Sequence, residues 1–207
     1  MSEMIEAQQE MLVLLKEKEE SLVQIHQAKD SLIEKWQRFL GVVLPVQIMV
    51  IRKHGYAGNQ KGLSEFNERL MNELGSDPEL KKINDAKWVF LFEKTFGMSE
   101  VKTMTLEEAQ NLTRDIADAM GDESFLKEVD TAVASMNEAP MLERREKLLG
   151  VLLPIQMGVM AQHGFIGEEG YVQAQRAMMD YFYDPVVVSE AQRAQETLFK
   201  RAKMMGQ

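Results

Sequence analysis

The sequence contains no cysteine, and this absence removes several kinds of chemistry. Without thiols the chain cannot form a disulfide, hold a metal through thiolates or use a cysteine nucleophile. Such a lack is also typical of proteins from reducing compartments. The first residues, MSEMIEAQQE, have neither the basic start nor the apolar run of a secretory signal. We therefore expect a cytoplasmic protein.

Histidine is scarce as well: the chain has three, and none has a second histidine at the spacing of a metal site. No P-loop, dinucleotide-binding glycine loop, nucleophile elbow, HExxH helix or EF-hand loop occurs. Five prolines and thirteen glycines in 207 residues leave little room for long disordered linkers. The sequence predicts a folded protein that is not an enzyme and holds no cofactor or metal.

The sequence also has only short hydrophobic runs, and fewer basic than acidic residues. The apolar stretches at residues 39–51 and 148–160 have thirteen residues each, whereas a membrane-spanning helix needs about 20. The net charge is −9, and residues 99–207 carry 11 basic and 18 acidic side chains. An acidic surface repels phosphate backbones and anionic lipids. We expect no direct nucleic-acid binding and no direct membrane insertion.

The sequence does contain an internal repeat. LGVVLPVQIMVIRKHGYAG, residues 40–58, aligns without gaps with LGVLLPIQMGVMAQHGFIG, residues 149–167, and ten of the nineteen positions are identical. Ordinary composition would give about one or two identities by chance. We interpret the match as a duplication. The predicted domains are a first helical repeat with an amphipathic N-terminal extension, residues 1–98, and a second helical repeat, residues 99–207.

Each repeat predicts the same series of helices. A long helix runs through Leu-Pro and stops at His-Gly; a second helix follows, then an Asp-Pro break and a third helix. The repeat signature is Gly41, Pro45, His54, Gly55, Asp77 and Pro78 in the first copy, and Gly150, Pro154, His163, Gly164, Asp184 and Pro185 in the second. The predicted fold is all-α, with two repeated units of three to four helices each, packed as an intramolecular pseudo-dimer.

Local chemistry supports these helix ends. Gly55 and Gly164 follow the last apolar residues of a helical run, where a left-handed residue closes a helix. Asp77 and Asp184 precede prolines, the order of an N-cap and a first helical residue. Residues 105–108, Thr-Leu-Glu-Glu, form a predicted capping box that opens the second unit.

The prolines inside the predicted long helices have two interpretations. Proline removes an amide donor and clashes with the carbonyl four residues earlier, which is Gly41 for Pro45 and Gly150 for Pro154. Glycine would let the backbone bend there, so a kink repeated in both copies is the favoured interpretation. A helix break and restart at each proline is the alternative.

Residues 2–38 differ from the repeat. A charge-dense middle precedes aliphatic residues that recur at helical spacing, which indicates one or two amphipathic helices. Packing against the protein's own core is favoured over packing against a partner.

Three further sets of residues have a structural and a functional interpretation. His54 and His163 fit helix C-caps, with a metal or anion site as the alternative. Gln47 and Gln156 fit a solvent-facing line, with pairing between the copies as the alternative. Met178 and Met179 fit either core filling or a plastic groove for a partner helix, and they are the candidate partner-binding residues.

The order and spacing of these pieces resemble the small helical family called protein C-ten. The resemblance rests on residues 43–46 (Val-Leu-Pro-Val), Gly55 with Tyr56, residues 62–66 and residues 77–80 (Asp-Pro-Glu-Leu). It covers residues 34–96 closely and 106–200 more loosely: Ala174 lies near the family's phenylalanine position, and no Glu follows the second Asp-Pro. The resemblance implies a helical interaction module without catalytic or cofactor residues, here in tandem.

The predicted function is a non-enzymatic helical adaptor or scaffold, a subunit of a larger assembly whose partners are other proteins. A vesicle tether is the first expectation, and a cytoskeletal or ciliary structural component is the alternative. A different class remains open: a bundle that binds a hydrophobic small molecule near Tyr171, Tyr181, Phe182 and Tyr183.

Overall fold

The computed structural model describes residues 2–98, 100, 102–135 and 141–202, and every regular element within them is an α-helix. The predicted all-α class is confirmed. The chain divides into two compact units, Met1–Val101 and Lys102–Gln207.

The first unit has five helices in the described part of the chain: α1 (Glu3–Lys16), α2 (Glu19–Gln27), α3 (Leu32–Lys53), α4 (Gln60–Leu74) and α5 (Pro78–Phe96). This exceeds the three to four helices predicted for each unit. The break between α1 and α2 falls at Glu17 and Lys18, within a charged run that has no glycine or proline to mark a turn.

Side chains at the helix ends explain where these helices begin and stop. The Ser31 hydroxyl accepts from the Glu34 amide, and the Glu34 carboxylate accepts from the Ser31 amide, so α3 starts with a capping box. Asp77 accepts from the amides of the first turn of α5, as its predicted N-cap role requires. Gly55 closes α3 with φ of +84°, which confirms its left-handed conformation.

The N-terminal helices belong to the core of the first unit. Both α1 and α2 pack against α3 and α5. Their apolar side chains are almost fully enclosed: Met4, Ala7, Met11, Leu15, Leu22 and Ile25. Packing against the protein's own core, rather than against a partner, therefore accounts for the amphipathic pattern of residues 2–38.

The second unit also has five helices among the described residues: α6 (Leu106–Gly121), α7 (Glu123–Ala134), α8 (Met141–Gln162), α9 (Gly167–Met179) and α10 (Pro185–Ala202). The capping box predicted at Thr105 and Glu108 opens α6. Asp184 accepts from the amides of Val186 and Val187 and so starts α10. Gly164 has φ of +81°, close to the value at Gly55.

The two units share one packing scheme. In both, the first helix contacts the third and the fifth, the second helix contacts the third and the fifth, and the third contacts the fourth. The helices α6 and α7 hold the places that α1 and α2 hold in the first unit. Two helices therefore precede the long helix in each unit.

The proline-containing helices are continuous. α3 runs through Pro45 and α8 runs through Pro154, so the break-and-restart interpretation is excluded. A Cβ added at Gly41 or Gly150 would meet nothing within 4 Å in the described residues. Steric crowding by other elements therefore does not require glycine at these two positions.

Candidate functional site

Helix α3, the Leu-Pro helix of the first unit, is apolar on two faces. Val43, Val46 and Val50 are buried toward the unit's core. Pro45 is exposed on the other side, and 43% of Met49 is exposed. A core helix usually presents polar residues to solvent, so an apolar outer face is unusual.

This outer face forms a groove of about 690 Å³ that we call the α3 groove. Its lining residues in the described part of the chain belong to one helix: Leu44, Pro45, Ile48, Met49, Arg52 and Lys53. A single helix cannot enclose a ligand on several sides, so the α3 groove is a shallow trough. Such a surface suits another elongated element better than a compact small molecule.

The C-terminal end of the α3 groove is basic. Lys53 forms an ion pair with Glu10 on α1, whereas no carboxylate among the described residues pairs with the Arg52 guanidinium. The aliphatic part of Arg52 lies against Gly58, where an added Cβ would stand 2.4 Å from Arg52 Cδ. The absence of a side chain at Gly58 thus leaves space for the Arg52 stem.

The corresponding face of α8 is neutral and smaller. Pro154 is exposed, as Pro45 is, but Gly158 stands at the position of Met49. Ala161 and Gln162 stand at the positions of Arg52 and Lys53. The two units therefore share the Leu-Pro part of the outer face and differ at the end that carries charge.

Comparison of the two copies shows that their identical residues lie mostly outside the core. Of the ten identical positions, only the pair Val50 and Val159 is buried in both units. The other positions buried in α3 hold different residues in α8: Phe39 and Leu148, Val43 and Leu152, Val46 and Ile155, Ile51 and Met160. The core tolerates exchange of one apolar residue for another. On the outer face, Leu44 and Pro45 recur in α8 as Leu153 and Pro154, and the other residues of that face differ.

Some of these identities have a local cause. Gly55 and Gly164 need their positive φ angles, and the histidines bond within their own units. Backbone conformation gives no such reason for Leu40, Val42, Leu44, Pro45 and Gln47 and their counterparts in α8, although Leu153 is buried and Gln156 accepts from Tyr171 within its own unit. Pro45 and Pro154 are exposed in both units, so neither core packing nor a helix end explains this pair.

The paired histidines each face a carboxylate on the first helix of their unit. His54 Nε2 lies 3.6 Å from Glu10 Oε2, and His163 Nε2 lies 2.8 Å from Asp115 Oδ2. His54 is also the C-cap residue of α3. Both pairs fasten the end of the Leu-Pro helix to the first helix, which supports the structural interpretation of these histidines.

A buried polar seam lies between α1 and α5. Lys87 is 2% exposed, and its Nζ donates a hydrogen bond to Gln8 Oε1 at 2.6 Å. Burial lowers the pKa of Lys87 to about 7. Asn84 Oδ1 is also buried on α5 and has no hydrogen-bond partner among the residues that the structure describes.

The second unit lacks this seam. With the Asp-Pro pairs aligned, Ala191 and Ala194 stand at the positions of Asn84 and Lys87. Aligning the buried faces of α1 and α6 places Thr113 at the position of Gln8. The seam is therefore a property of the first unit rather than of the shared fold.

The other sequence-predicted residues lie in or near the core of the second unit. Met178 is buried and Met179 is half-buried, so Met178 fills the core and offers no surface to a partner. The Tyr171 hydroxyl donates to Gln156 Oε1 at 3.1 Å, which gives Gln156 a partner within its own unit. The Tyr181 hydroxyl donates to the Met104 carbonyl.

The described residues contain no group of three or more His, Asp or Glu side chains that could hold a metal ion. No single described helix is long and apolar enough to cross a membrane, although the bent pair Lys147–Gln162 and Gly167–Met179, with 80° between its helices, passes the test of length and composition.

Comparisons of the chain with protein-family models, with curated proteins and with solved structures found no match.

The α3 groove and the polar seam were not identified from the sequence. The exposure of Met49 and of Arg52 depends on the rotational setting of α3 about its own axis. Sequence periodicity does not define that setting, because both faces of the helix are apolar. One signal was present: a proline inside each Leu-Pro helix, Pro45 and Pro154, at a position that a helical core does not need.

Proposed function

We propose that the protein is a non-enzymatic adaptor or scaffold subunit of a larger protein assembly, which it joins through the outer faces of its Leu-Pro helices, α3 and α8. The observation that carries this proposal is the apolar outer face of α3, where Pro45 and Met49 are exposed, together with the matching exposed proline of α8, Pro154. Each unit already has a core of its own, so these outer residues serve a contact beyond it.

The chemistry of the surface supports a protein partner. Apolar patches rimmed by polar residues are typical of protein interaction sites. Exposed methionine and proline supply apolar area, and Arg52 offers a charge for orientation. A vesicle tether is the assembly that we propose first, and a cytoskeletal or ciliary array is the alternative. The resemblance to protein C-ten remains a prediction consistent with such a role.

The pseudo-dimer predicted from the sequence is a more detailed version of the same proposal. Two related units in one chain can replace the two subunits of a symmetric dimer, and the same surface of each unit would then meet the other. In that version the outer faces of α3 and α8 serve the contact between the units, and other surfaces bind partners.

The experiment is an affinity capture of the tagged full-length protein from its own cells, followed by mass spectrometry. Wild-type protein is compared with Met49→Glu and with a control, Val89→Glu, because Met49 and Val89 are 43% and 44% exposed. We expect partners at fixed stoichiometry that Met49→Glu loses and Val89→Glu keeps, with both variants folded by circular dichroism. Equal capture by both variants, or no stoichiometric partner at all, would contradict the proposal.

A further inference from the structure

The α3 groove combines an apolar floor with a cationic end, and only the first unit has both. Leu44, Ile48 and Arg52 follow one another at intervals of four residues along one line of the helix. This line is about 12 Å long, since a helix rises about 1.5 Å per residue. Two turns of a second helix would cover it.

The line of residues also has the form that helix packing requires. Side chains spaced four apart form a ridge, and the ridge of one helix packs into the groove of another. Met49 lies beside this ridge with 43% of its surface exposed, and its flexible thioether adapts to different apolar neighbours. An amphipathic helix that presents its own apolar stripe is therefore the element that best fits the floor.

The cationic end indicates the charge of that helix. Arg52 has no carboxylate partner among the described residues, and its stem is laid across Gly58 at the end of the groove. A carboxylate on the partner would give Arg52 the bond that its own unit does not supply. Two cations on a protein with net charge −9 are too few to hold a membrane or a nucleic acid, which use larger basic clusters.

We propose that the α3 groove binds an acidic amphipathic helix of a partner protein, with the apolar stripe on Leu44, Ile48 and Met49 and a carboxylate on Arg52. This inference rests on the proposed adaptor function and names the chemistry of its partner. The corresponding face of α8 does not bind such a helix, because Gly158 and Ala161 supply neither the apolar side chain nor the charge.

The test uses two labelled synthetic peptides of about 18 residues, long enough to form a helix. Both carry leucine at helical spacing; one has glutamates beside the stripe and the other has lysines. Fluorescence anisotropy measures their binding to the full-length protein at physiological ionic strength. The net charge of −9 would by itself favour the lysine peptide, so tighter binding of the glutamate peptide has to come from a local cationic site.

We expect the glutamate peptide to bind at least about tenfold more tightly than the lysine peptide, and Arg52→Glu to reverse that order. Met49→Glu should weaken binding of the glutamate peptide. The controls Lys61→Glu and Val89→Glu should leave the affinity for both peptides unchanged. Lys61 is a suitable control because it is an exposed lysine of the same unit, 81% exposed at its side chain.

A gain of function provides the second readout. The substitutions Gly158→Met and Ala161→Arg rebuild the apolar and cationic residues on α8, and a Cβ at Gly158 would meet nothing within 4 Å among the described residues. We expect the number of glutamate peptides bound per chain to rise from one to two. A stoichiometry that stays at one, with the variant folded, would count against the assigned residues.

Other results would overturn the inference outright. These are equal binding of the two peptides, no binding of either, an unchanged preference in Arg52→Glu, or co-sedimentation with phosphatidylserine vesicles in place of peptide binding. A concentration-dependent dimer that Met49→Glu dissociates would assign the groove to a second copy of the chain. If neither peptide binds but Met49→Glu still loses its captured partners, the adaptor function is supported and the proposed chemistry of the partner helix is wrong.

Discussion

Lys87 is a single buried residue that lowers the stability of the first unit. Its amine is buried with Gln8 as the hydrogen-bond acceptor and stands 5.0 Å from the centre of the Trp88 ring, so no carboxylate balances its charge among the described residues. The pKa falls from 10.5 to about 7 because burial penalises the charged form. Between these values the unfolded chain binds a proton that the folded unit does not.

Stability should therefore rise with pH above about 7, toward the unfolded pKa of 10.5. The slope approaches about 1.4 kcal/mol per pH unit and flattens below pH 7. In the double variant Gln8→Leu and Lys87→Met, which follows the less polar pattern of the second unit, we expect higher stability at pH 7 and loss of this slope. Urea unfolding between pH 6 and pH 10 measures both.

The control for this prediction is Lys61→Met, which removes an exposed lysine and should keep the wild-type slope. A wild-type unfolding free energy that is level from pH 7 to pH 10 would show that Lys87 does not titrate as its burial indicates.

At the scale of the helix, the local sequence predicted where helices begin and end, but it did not predict which side chains of different helices contact one another. The caps at Asp77, Thr105 and Asp184 and the left-handed Gly55 depend on neighbours within a few residues, so the sequence sufficed. The split between α1 and α2 has no turn residue, and the contacts of His54 with Glu10 and of Lys87 with Gln8 join residues far apart in sequence. Such contacts follow from helix packing, which periodicity alone does not define.

Two glycines of the first unit make a matched prediction about helices. A Cβ at Gly62, in the first turn of α4, would stand 1.9 Å from the Ala57 carbonyl oxygen, while one at Gly41 in α3 would meet no described atom within 4 Å. We expect Gly62→Ala to destabilise the protein by about 1–3 kcal/mol through backbone overpacking. Gly41→Ala should stabilise it by up to about 1 kcal/mol, because alanine is the better helix former.

Thermal unfolding followed by circular dichroism at 222 nm measures both variants. A loss of stability in Gly41→Ala would show instead that glycine relieves the clash between Pro45 and the carbonyl four residues earlier.

At the scale of the whole molecule, the sequence predicted the all-α class and the duplication, and it located the Leu-Pro helices that carry the candidate surface. It could not show which residues of those helices face outward, because apolar residues occupy more than one face. The functional account therefore depends on one structural observation: the outer face of α3 is apolar, and its exposed Pro45 has an exposed counterpart in Pro154 of α8.

The two versions of the adaptor proposal differ in what the first unit does alone. If the outer faces of α3 and α8 meet within the chain, residues 1–101 expressed alone should dimerise, aggregate or fold poorly, because the face loses its cover. Size-exclusion chromatography with light scattering distinguishes these outcomes. A folded, monomeric first unit would contradict the pseudo-dimer and leave the outer faces to partners.

The most direct test of the central claim measures whether the outer face of α3 is covered in the cell's own assembly. The chain has no cysteine, so the single-cysteine variants Met49→Cys and Val89→Cys each give one label site, at positions 43% and 44% exposed. Maleimide labelling is compared between the purified protein and the native lysate complex. We expect position 49 to react at least about tenfold more slowly in the complex and position 89 to be unchanged, as a buried interface requires. Equal labelling of position 49 in both states would contradict the claim that α3 carries the protein's function.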